Sequence, residues 1–404
     1  MKAAVFTLGC KVNEVESSCI AASLESMGFS VTDALCPADI FVLNTCAVTR
    51  EAEKKSRQLI ARARKFNPRA QIFVCGCASE KDKAAFEQKG VTFVTGARKK
   101  EEVISAVAEY YGLPDCGLSL PKQTKTRAFI KIQDGCNNFC SYCVIPYLRG
   151  RERSRSIEDI LNEINLTDSP EIVLNGINIS AYGYDGNTLT DLIVALNGVK
   201  KRGRLGSLEC NIITEELLSA LKKLPDFAQQ FHLSLQSGSN AVLKAMNRHY
   251  TAQSYLEKCN LIYSYFPDAA ITTDIIAGFP AETEEDFAQS LEIIEKARFA
   301  RVHAFAFSPR EGTVAYKLKD ISADVKSSRL HRLLRAGESA SSRYIYGLTG
   351  KPLDFIAERA DGIYMTGYTG NYIKIYLPER VSVGKKYTVE ITEIFRDGAL
   401  AKLV

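Results

Sequence analysis

The sequence predicts an α/β protein in three parts: an N-terminal parallel-sheet α/β domain, a central parallel (β/α) barrel and a small C-terminal β-barrel. Two observations predict the first two parts. Short apolar runs alternate with helical stretches, and polar or glycine residues recur where each run ends. A third observation predicts the last part. After Gly350-Lys-Pro352 the hydrophobic pattern switches to period two, with Gly- and Asn-rich turns between runs.

The chain has 404 residues, enough for two or three domains. The expected boundaries are 1–118, 122–345 and 347–404, with a Pro-containing polar linker over about 115–125. A hydrophobic fraction of 46% and a charged fraction of 25% are those of a soluble globular protein. The net charge of +5 is too mild to identify a nucleic-acid partner, so the clustering of charge says more. Twelve cysteines are too sparse for a disulfide scaffold. No charged, apolar and cleavable leader opens the chain, and no apolar run reaches membrane-spanning length. A cytosolic protein is expected, where abundant cysteines point to metal rather than disulfides.

In the N-terminal part, strands are expected over 2–8, 39–43, 71–74 and 91–94, with helices over 14–27 and 51–66. Functional residues in parallel sheets gather at the carboxyl ends of strands. Cys10 ends the first strand in Thr7-Leu-Gly-Cys-Lys-Val-Asn13, Cys46 follows in Asn44-Thr-Cys46, and Cys77 in Cys75-Gly-Cys77. Three thiols from three strand ends can meet at one sheet edge and hold a cluster. The plain alternative is three small buried hydrophobes. Residues 54–69 carry seven basic side chains, either a solvated helix face or a surface for RNA.

The central part opens with a strand-like run over 129–133 and an Asp134-Gly135 turn. Cys136, Cys140 and Cys143 follow at C-x3-C-x2-C spacing. A zinc site or a fully ligated cluster takes four ligands. Three thiols can hold three irons of a 4Fe-4S cluster and leave the fourth open for chemistry. A zinc knuckle is the competing reading, and the lack of a fourth ligand nearby counts against it. Further strands over 171–174, 231–235, 271–276 and 301–307 end at Asn175-Gly176, Gln236-Ser-Gly238, Gly278-Phe-Pro280 and Ser308-Pro309. Helices over 255–265 and 285–297 lie between them, the pattern of a barrel with its site at the carboxyl ends. Arg149, Arg151, Arg153 and Arg155 offer guanidinium forks for phosphate oxygens. The four histidines form no ligand-spaced pair, and His232 reads as packed or hydrogen-bonded. Nothing resembles a hydrolytic triad or a phosphate-binding glycine loop.

A helical connector is expected over 325–346, then strands over 353–358, 362–368, 372–377 and 387–394. Tyr364, Tyr368, Tyr372 and Tyr376 can stack on bases or simply pack the barrel, while Lys374, Lys385 and Lys386 can meet phosphates.

The spacing of Cys136, Cys140 and Cys143 resembles that of the radical S-adenosylmethionine (SAM) superfamily. Together with Thr7-Leu-Gly-Cys-Lys-Val-Asn13, Asn44-Thr-Cys46 and Gly76-Cys77, the chain resembles the radical-SAM methylthiotransferases over nearly its whole length. The resemblance implies a six-stranded partial barrel and a TRAM-like C-terminal RNA-binding domain. It implies two 4Fe-4S clusters, a SAM-binding one on Cys136, Cys140 and Cys143 and an auxiliary one on Cys10, Cys46 and Cys77. Tyr142, Asn175, Gly176, Glu209, Gln236, Asp274 and Gly278 are the implied SAM contacts. Glu209 departs from the family's usual surroundings, since Gly and Ser precede it and Cys210 follows. Arg149, Arg151, Arg153, Arg155, Lys374 and Lys385 are the candidate RNA contacts. The implied reaction cleaves SAM to a 5′-deoxyadenosyl radical and places a methylthio group on the substrate. It needs a flavodoxin- or ferredoxin-like electron donor and a sulfur donor. Lys11-Val12 within the first motif resembles the subgroup acting at C2 of N6-threonylcarbamoyladenosine beside the tRNA anticodon. Other subgroups act on N6-isopentenyladenosine or on a ribosomal-protein aspartate. Readings of another class are a non-catalytic RNA-binding protein stabilised by metal and a two-cluster electron carrier.

Overall fold

The computed structural model of the chain describes residues 1–121, 123 and 125–404. Lys122, where the central domain is expected to begin, and Thr124 in the expected linker lie outside the described residues. The chain gathers into two units. One is Met1–Lys122 with Asp134–Glu152 and Arg310–Thr313; the other is Gln123–Gln133 with Arg153–Pro309 and Val314–Val404. The cysteine loop at 136–143 therefore belongs with the N-terminal sheet rather than with the strand leading into it.

The first unit is built on a parallel five-stranded sheet. Its order is Ser30–Thr32, Lys2–Thr7, Ile40–Thr45, Gln71–Gly76 and Phe93–Val94. The Ile40–Thr45 strand is buried along its whole length, as a central parallel strand with helices on both faces must be. Its residues alternate between two cores. Phe41 and Leu43 pack with Leu59, Ile60 and Ala63 of helix Arg50–Phe66. Ile40 and Val42 pack on the other face with Ile20 and Leu24 of helix Lys11–Ser26 and Val103, Ile104 and Val107 of helix Glu102–Tyr111. Each fully buried Leu, Ile, Val or Phe side chain contributes roughly 1.5–3 kcal/mol. The edge strand Ser30–Thr32 escapes the apolar pattern because it is short, mostly polar and not buried.

The second unit contains a curled parallel sheet of six strand positions in chain order: Arg127–Asp134, Glu171–Gly176, Arg202–Leu205 continued by Ser207–Leu208, Gln230–Leu233, Ala270–Ala277 and Arg301–Ala306. Asp134 itself falls in the first unit. The two halves of the sheet meet at a parallel bridge between Gly203 and Phe227. This is the expected partial barrel. The Arg202–Leu205 strand is not among the sequence expectations, because its alternate residues are arginines. Arg202 and Arg204 are nevertheless buried and share the buried Glu171 carboxylate, Arg204 at 2.8 and 3.2 Å and Arg202 at 3.4 Å.

Helix Ala323–Tyr346 leads to a closed five-stranded barrel ordered Pro352–Asp361, Tyr364–Thr369, Lys374–Leu377, Gly398–Leu403 and Lys386–Phe395. Gly398–Leu403, absent from the sequence expectations, closes it by pairing in parallel with Lys374–Leu377. Asp354 of this barrel binds Arg202, and Glu358 binds Arg127. Among the described residues no helix is long and apolar enough to cross a membrane.

Candidate active site: two thiol sets and a row of strand ends

Cys10, Cys46 and Cys77 stand just past the carboxyl ends of three adjacent parallel strands, so the sheet itself brings them to one edge. Cys10 is the N-cap residue of helix Lys11–Ser26, and Cys77 opens helix Cys77–Lys81. Asn13 fastens the loops. Its Nδ2 donates to the Leu8 carbonyl at 2.7 Å and to the Thr45 carbonyl at 3.2 Å. Asn44 Nδ2 in turn donates to the Asn13 carbonyl and to Ser17 Oγ, each at 3.0 Å. The Val48 N–H donates to Cys46 Sγ at 3.5 Å. Burial pushes the Cys46 thiol up, the Val48 N–H opposes it, and the Cys77 and Cys10 sulfurs are near enough to act on it. Burial raises the Cys77 thiol as well, against the Arg149 and Lys100 charges.

Cys136, Cys140 and Cys143 lie half-buried in the loop after Arg127–Asp134. Gly135 turns the chain at φ +72°, and a Cβ there would lie 2.0 Å from the Arg151 carbonyl oxygen. The Cys136 N–H donates to the Gly150 carbonyl at 3.2 Å, and the Cys143 N–H to the Cys140 carbonyl at 2.9 Å. The Asn138 N–H donates to Cys136 Sγ at 3.5 Å. Tyr142 is half-buried within the same loop.

The arginine cluster divides. Arg149, expected to meet RNA, is 0% exposed. It donates to Glu16 at 2.9 and 3.1 Å, to Asp134 Oδ1 at 3.0 Å and to Asn13 Oδ1. That expectation is corrected: a guanidinium enclosed by two carboxylates does not reach a solvent ligand. Burial works against its charge, but Glu16, the Cys77 sulfur and Asp134 hold the proton on. Lys100, also buried, pairs with Glu16 and donates to Asn44 Oδ1 at 3.0 Å. Arg151 is exposed, its guanidinium 4.7 Å from the centre of the Phe139 ring, and Arg153 is exposed. Arg155 is committed to Glu163 and to the Lys131 carbonyl at 2.9 Å. Lys374 binds Asp397 at 3.0 Å and Lys385 is exposed. The tyrosines are largely spent inside the protein. Tyr368 stacks on Tyr372 with centroids 4.7 Å apart, and Arg127 lies over both rings. Tyr376 is buried against Tyr364 and Phe395.

In the second unit, Asn175, Gly176, Glu209, Gln236 and Gly278 lie at or just past carboxyl ends of the barrel strands. Asn175 is buried and its Oδ1 accepts the Gly176 N–H at 3.0 Å. Glu209 pairs with Arg248 at 3.1 Å. Gln236 and Gly278 both have φ +72°. The Gly278 N–H donates to Glu282 at 2.8 Å, and Glu282 is bound by Arg329 at 2.7 Å. Asp274 lies within the Ala270–Ala277 strand rather than at its end, 3.1 Å from His232 Nε2. His232 Nδ1 is 2.9 Å from Thr272 Oγ1, so this histidine is hydrogen-bonded, as its sequence context suggests.

Among the described residues, no group of three or more His, Cys, Asp or Glu side chains is gathered as for one metal ion. A cluster spreads its thiolates over separate irons. The donor chemistry fits one: each set has three thiols, backbone N–H groups point at the Cys46 and Cys136 sulfurs, and a buried guanidinium stands beside Cys77. Hydrogen bonds and charge at the sulfurs are the usual means of tuning such clusters. Glu16, Lys100 and Asn13 were missed as site residues. Asn13 alone carried a sequence signal, as the last residue of its motif.

Residues 2–96 match the Uncharacterized protein family UPF0004, and residues 130–294 match the Radical SAM superfamily. The chain is 35% identical to the threonylcarbamoyladenosine tRNA methylthiotransferase MtaB of Bacillus subtilis (strain 168), covering 99% of this chain and 96% of that protein. It is 35% identical to the protein of the same name from Chlamydia pneumoniae, over 98% of this chain and 97% of the other. It is 34% identical to the tRNA-2-methylthio-N(6)-dimethylallyladenosine synthase of Thermotoga petrophila, over 100% of this chain and 97% of that protein. Among solved structures, the radical S-adenosylmethionine methyltransferase TsrM from Kitasatospora setae matches with a TM-score of 0.54 at 14% identity, over 76% of this chain and 74% of that one. That likeness is one of fold. Both thiol sets fall in matched regions, and identity above one third runs almost end to end, so the chain belongs to the radical-SAM methylthiotransferase family.

Proposed function

We propose that this chain adds a methylthio group to C2 of N6-threonylcarbamoyladenosine next to the tRNA anticodon. As a radical-SAM transferase it uses an iron–sulfur cluster and SAM. The finer reading assigns two 4Fe-4S clusters, one on Cys136, Cys140 and Cys143 and one on Cys10, Cys46 and Cys77. Bound, these groups and SAM supply the radical hydrogen abstraction and the sulfur transfer. The protein holds them, orients them and excludes water. Tyr142, Asn175, Gly176, Glu209, Gln236, Asp274 and Gly278 are the proposed SAM contacts, and Arg151, Arg153, Arg155, Lys374 and Lys385 the proposed RNA contacts. A three-part division at 1–118, 122–345 and 347–404, a flavodoxin- or ferredoxin-like reductant, a sulfur donor and a cytoplasmic setting complete the reading.

The observation that carries the substrate assignment is Thr7-Leu-Gly-Cys-Lys-Val-Asn13, supported by the names of the relatives from Bacillus subtilis and Chlamydia pneumoniae. A second reading, N6-isopentenyladenosine, is favoured by the name of the Thermotoga petrophila relative at nearly the same identity. The test is nucleoside mass spectrometry. Anaerobically reconstituted protein is given SAM, a reductant and tRNA bearing one modified adenosine or the other. Methylthiolation of the threonylcarbamoyl nucleoside is expected. Product only on the isopentenyl nucleoside would transfer the assignment, and product on neither would overturn the RNA reading.

A further inference from the structure

We propose that Arg149 is a positioning residue that couples the two thiol sets: one buried guanidinium holds the turn before Cys136 and stands at the Cys77 sulfur. The inference rests on the two-cluster reading above.

Arg149 ends the short helix Ile145–Arg149, six residues beyond Cys143. Through Asp134 it grips the turn two residues ahead of Cys136, at 3.0 Å. Through Asn13 it grips the residue that fastens the Cys10 and Cys46 loops. Glu16 takes both of its terminal nitrogens, at 2.9 and 3.1 Å. The same guanidinium lies near enough to the Cys77 sulfur for its charge to act on that thiol. Two buried cations, Arg149 and Lys100, face two carboxylates, Glu16 and Asp134. Only a planar fork meets carboxylate and amide partners on several sides at once; the point charge of a lysine does not.

Two consequences follow from this geometry. Positive charge near a cluster sulfur stabilises the reduced cluster and raises its potential. A shared clamp also fixes the spacing between the SAM-binding set and the auxiliary set, on which productive transfer depends.

The test uses the full chain. Redox titration is followed by electron paramagnetic resonance in protein also carrying C136A, C140A and C143A, so that only the auxiliary cluster reports. Relative to Arg149, R149Q should shift the midpoint to a more negative potential, and R149K by less. In the chain with all cysteines present, R149K should lower methylthiolated product about tenfold or more, the usual cost of losing an outer partner of a metal ligand. 5′-Deoxyadenosine release should continue, so its ratio to product rises. An unchanged midpoint in a fully iron-loaded R149Q protein would overturn the proposal. If R149Q does not fold, an unchanged ratio in R149K overturns it instead. The midpoint needs no substrate. If the unsubstituted protein modifies no tRNA, the functional reading fails while the potential still decides the role of Arg149.

Discussion

Replacing Gly76 by alanine probes how firmly the sheet edge places Cys77. Gly76 sits at φ +110° and ψ −169°, directly before that cysteine. Side chains enter this region only under strain, about 1–3 kcal/mol. A Cβ there would lie 2.4 Å from the Thr45 carbonyl oxygen and 2.5 Å from the Thr45 nitrogen. Both atoms are backbone of the fully buried Ile40–Thr45 strand, so neither yields easily. Overpacking of this kind adds about 1–3 kcal/mol, for a total near 2–6 kcal/mol. Gly28 is the control. It too has positive φ, +89°, but nothing lies within 4 Å of its Cβ position. Gly28→Ala therefore carries the strain alone, about 1–3 kcal/mol. Urea denaturation of the iron-free proteins measures both, with midpoints compared at unchanged slope. Iron content after anaerobic reconstitution should fall in G76A and stay at the unsubstituted level in G28A. Equal stability and equal iron in the two variants would refute the idea that close strand packing positions the cysteine.

Three further outcomes follow from the charged groups. Burial pushes the Glu53 carboxyl up, but Arg310, Lys81 and Arg57 overcome it, so its folded pKa lies below the ordinary 4.5. A lowered folded pKa gives stability that is present above the unfolded value and lost as pH falls through the folded one. The stability gap between E53Q and the unsubstituted chain should stay constant from neutral pH to about 4.5 and close only below it; a gap that closes near neutrality would contradict the pairing. Glu171→Gln leaves Arg202 and Arg204 short of their shared carboxylate and should destabilise the protein by about 3–5 kcal/mol in denaturant titration. If exposed Arg151 and Arg153 meet tRNA phosphates, replacing each by alanine should flatten the salt dependence of tRNA affinity by about one contact. An unchanged slope in both would remove them from the RNA-binding surface.

Local signals made much of this protein legible. The cysteine loop and its turn lie within 134–143, and the strand ends carrying Cys10, Cys46 and Cys77 follow from short apolar runs. What stayed hidden depends on partners distant in sequence. Arg149 looked like its neighbours Arg151 and Arg153 because no local feature announces Glu16, 133 positions away. The Arg202–Leu205 strand was masked because its polar residues face a carboxylate supplied by another strand. Tyr368 and Tyr372 suggested base stacking, yet Arg127 and Arg204 from the central sheet occupy their faces. Helix Glu102–Tyr111 was legible and overlooked, since Val103, Ile104, Val107 and Ala108 form a clear helical stripe. Charge and aromaticity are visible in a sequence, but burial of a charge is decided by what tertiary packing brings beside it.

The proposed function divides labour between two three-thiol sets. The most direct measurement follows two products in one reaction, 5′-deoxyadenosine and the methylthiolated nucleoside, by mass spectrometry. Replacing Cys10, Cys46 and Cys77 together by alanine should leave 5′-deoxyadenosine release running and abolish the methylthiolated nucleoside. Methylthiolation continuing at the unsubstituted rate in that variant would contradict the account.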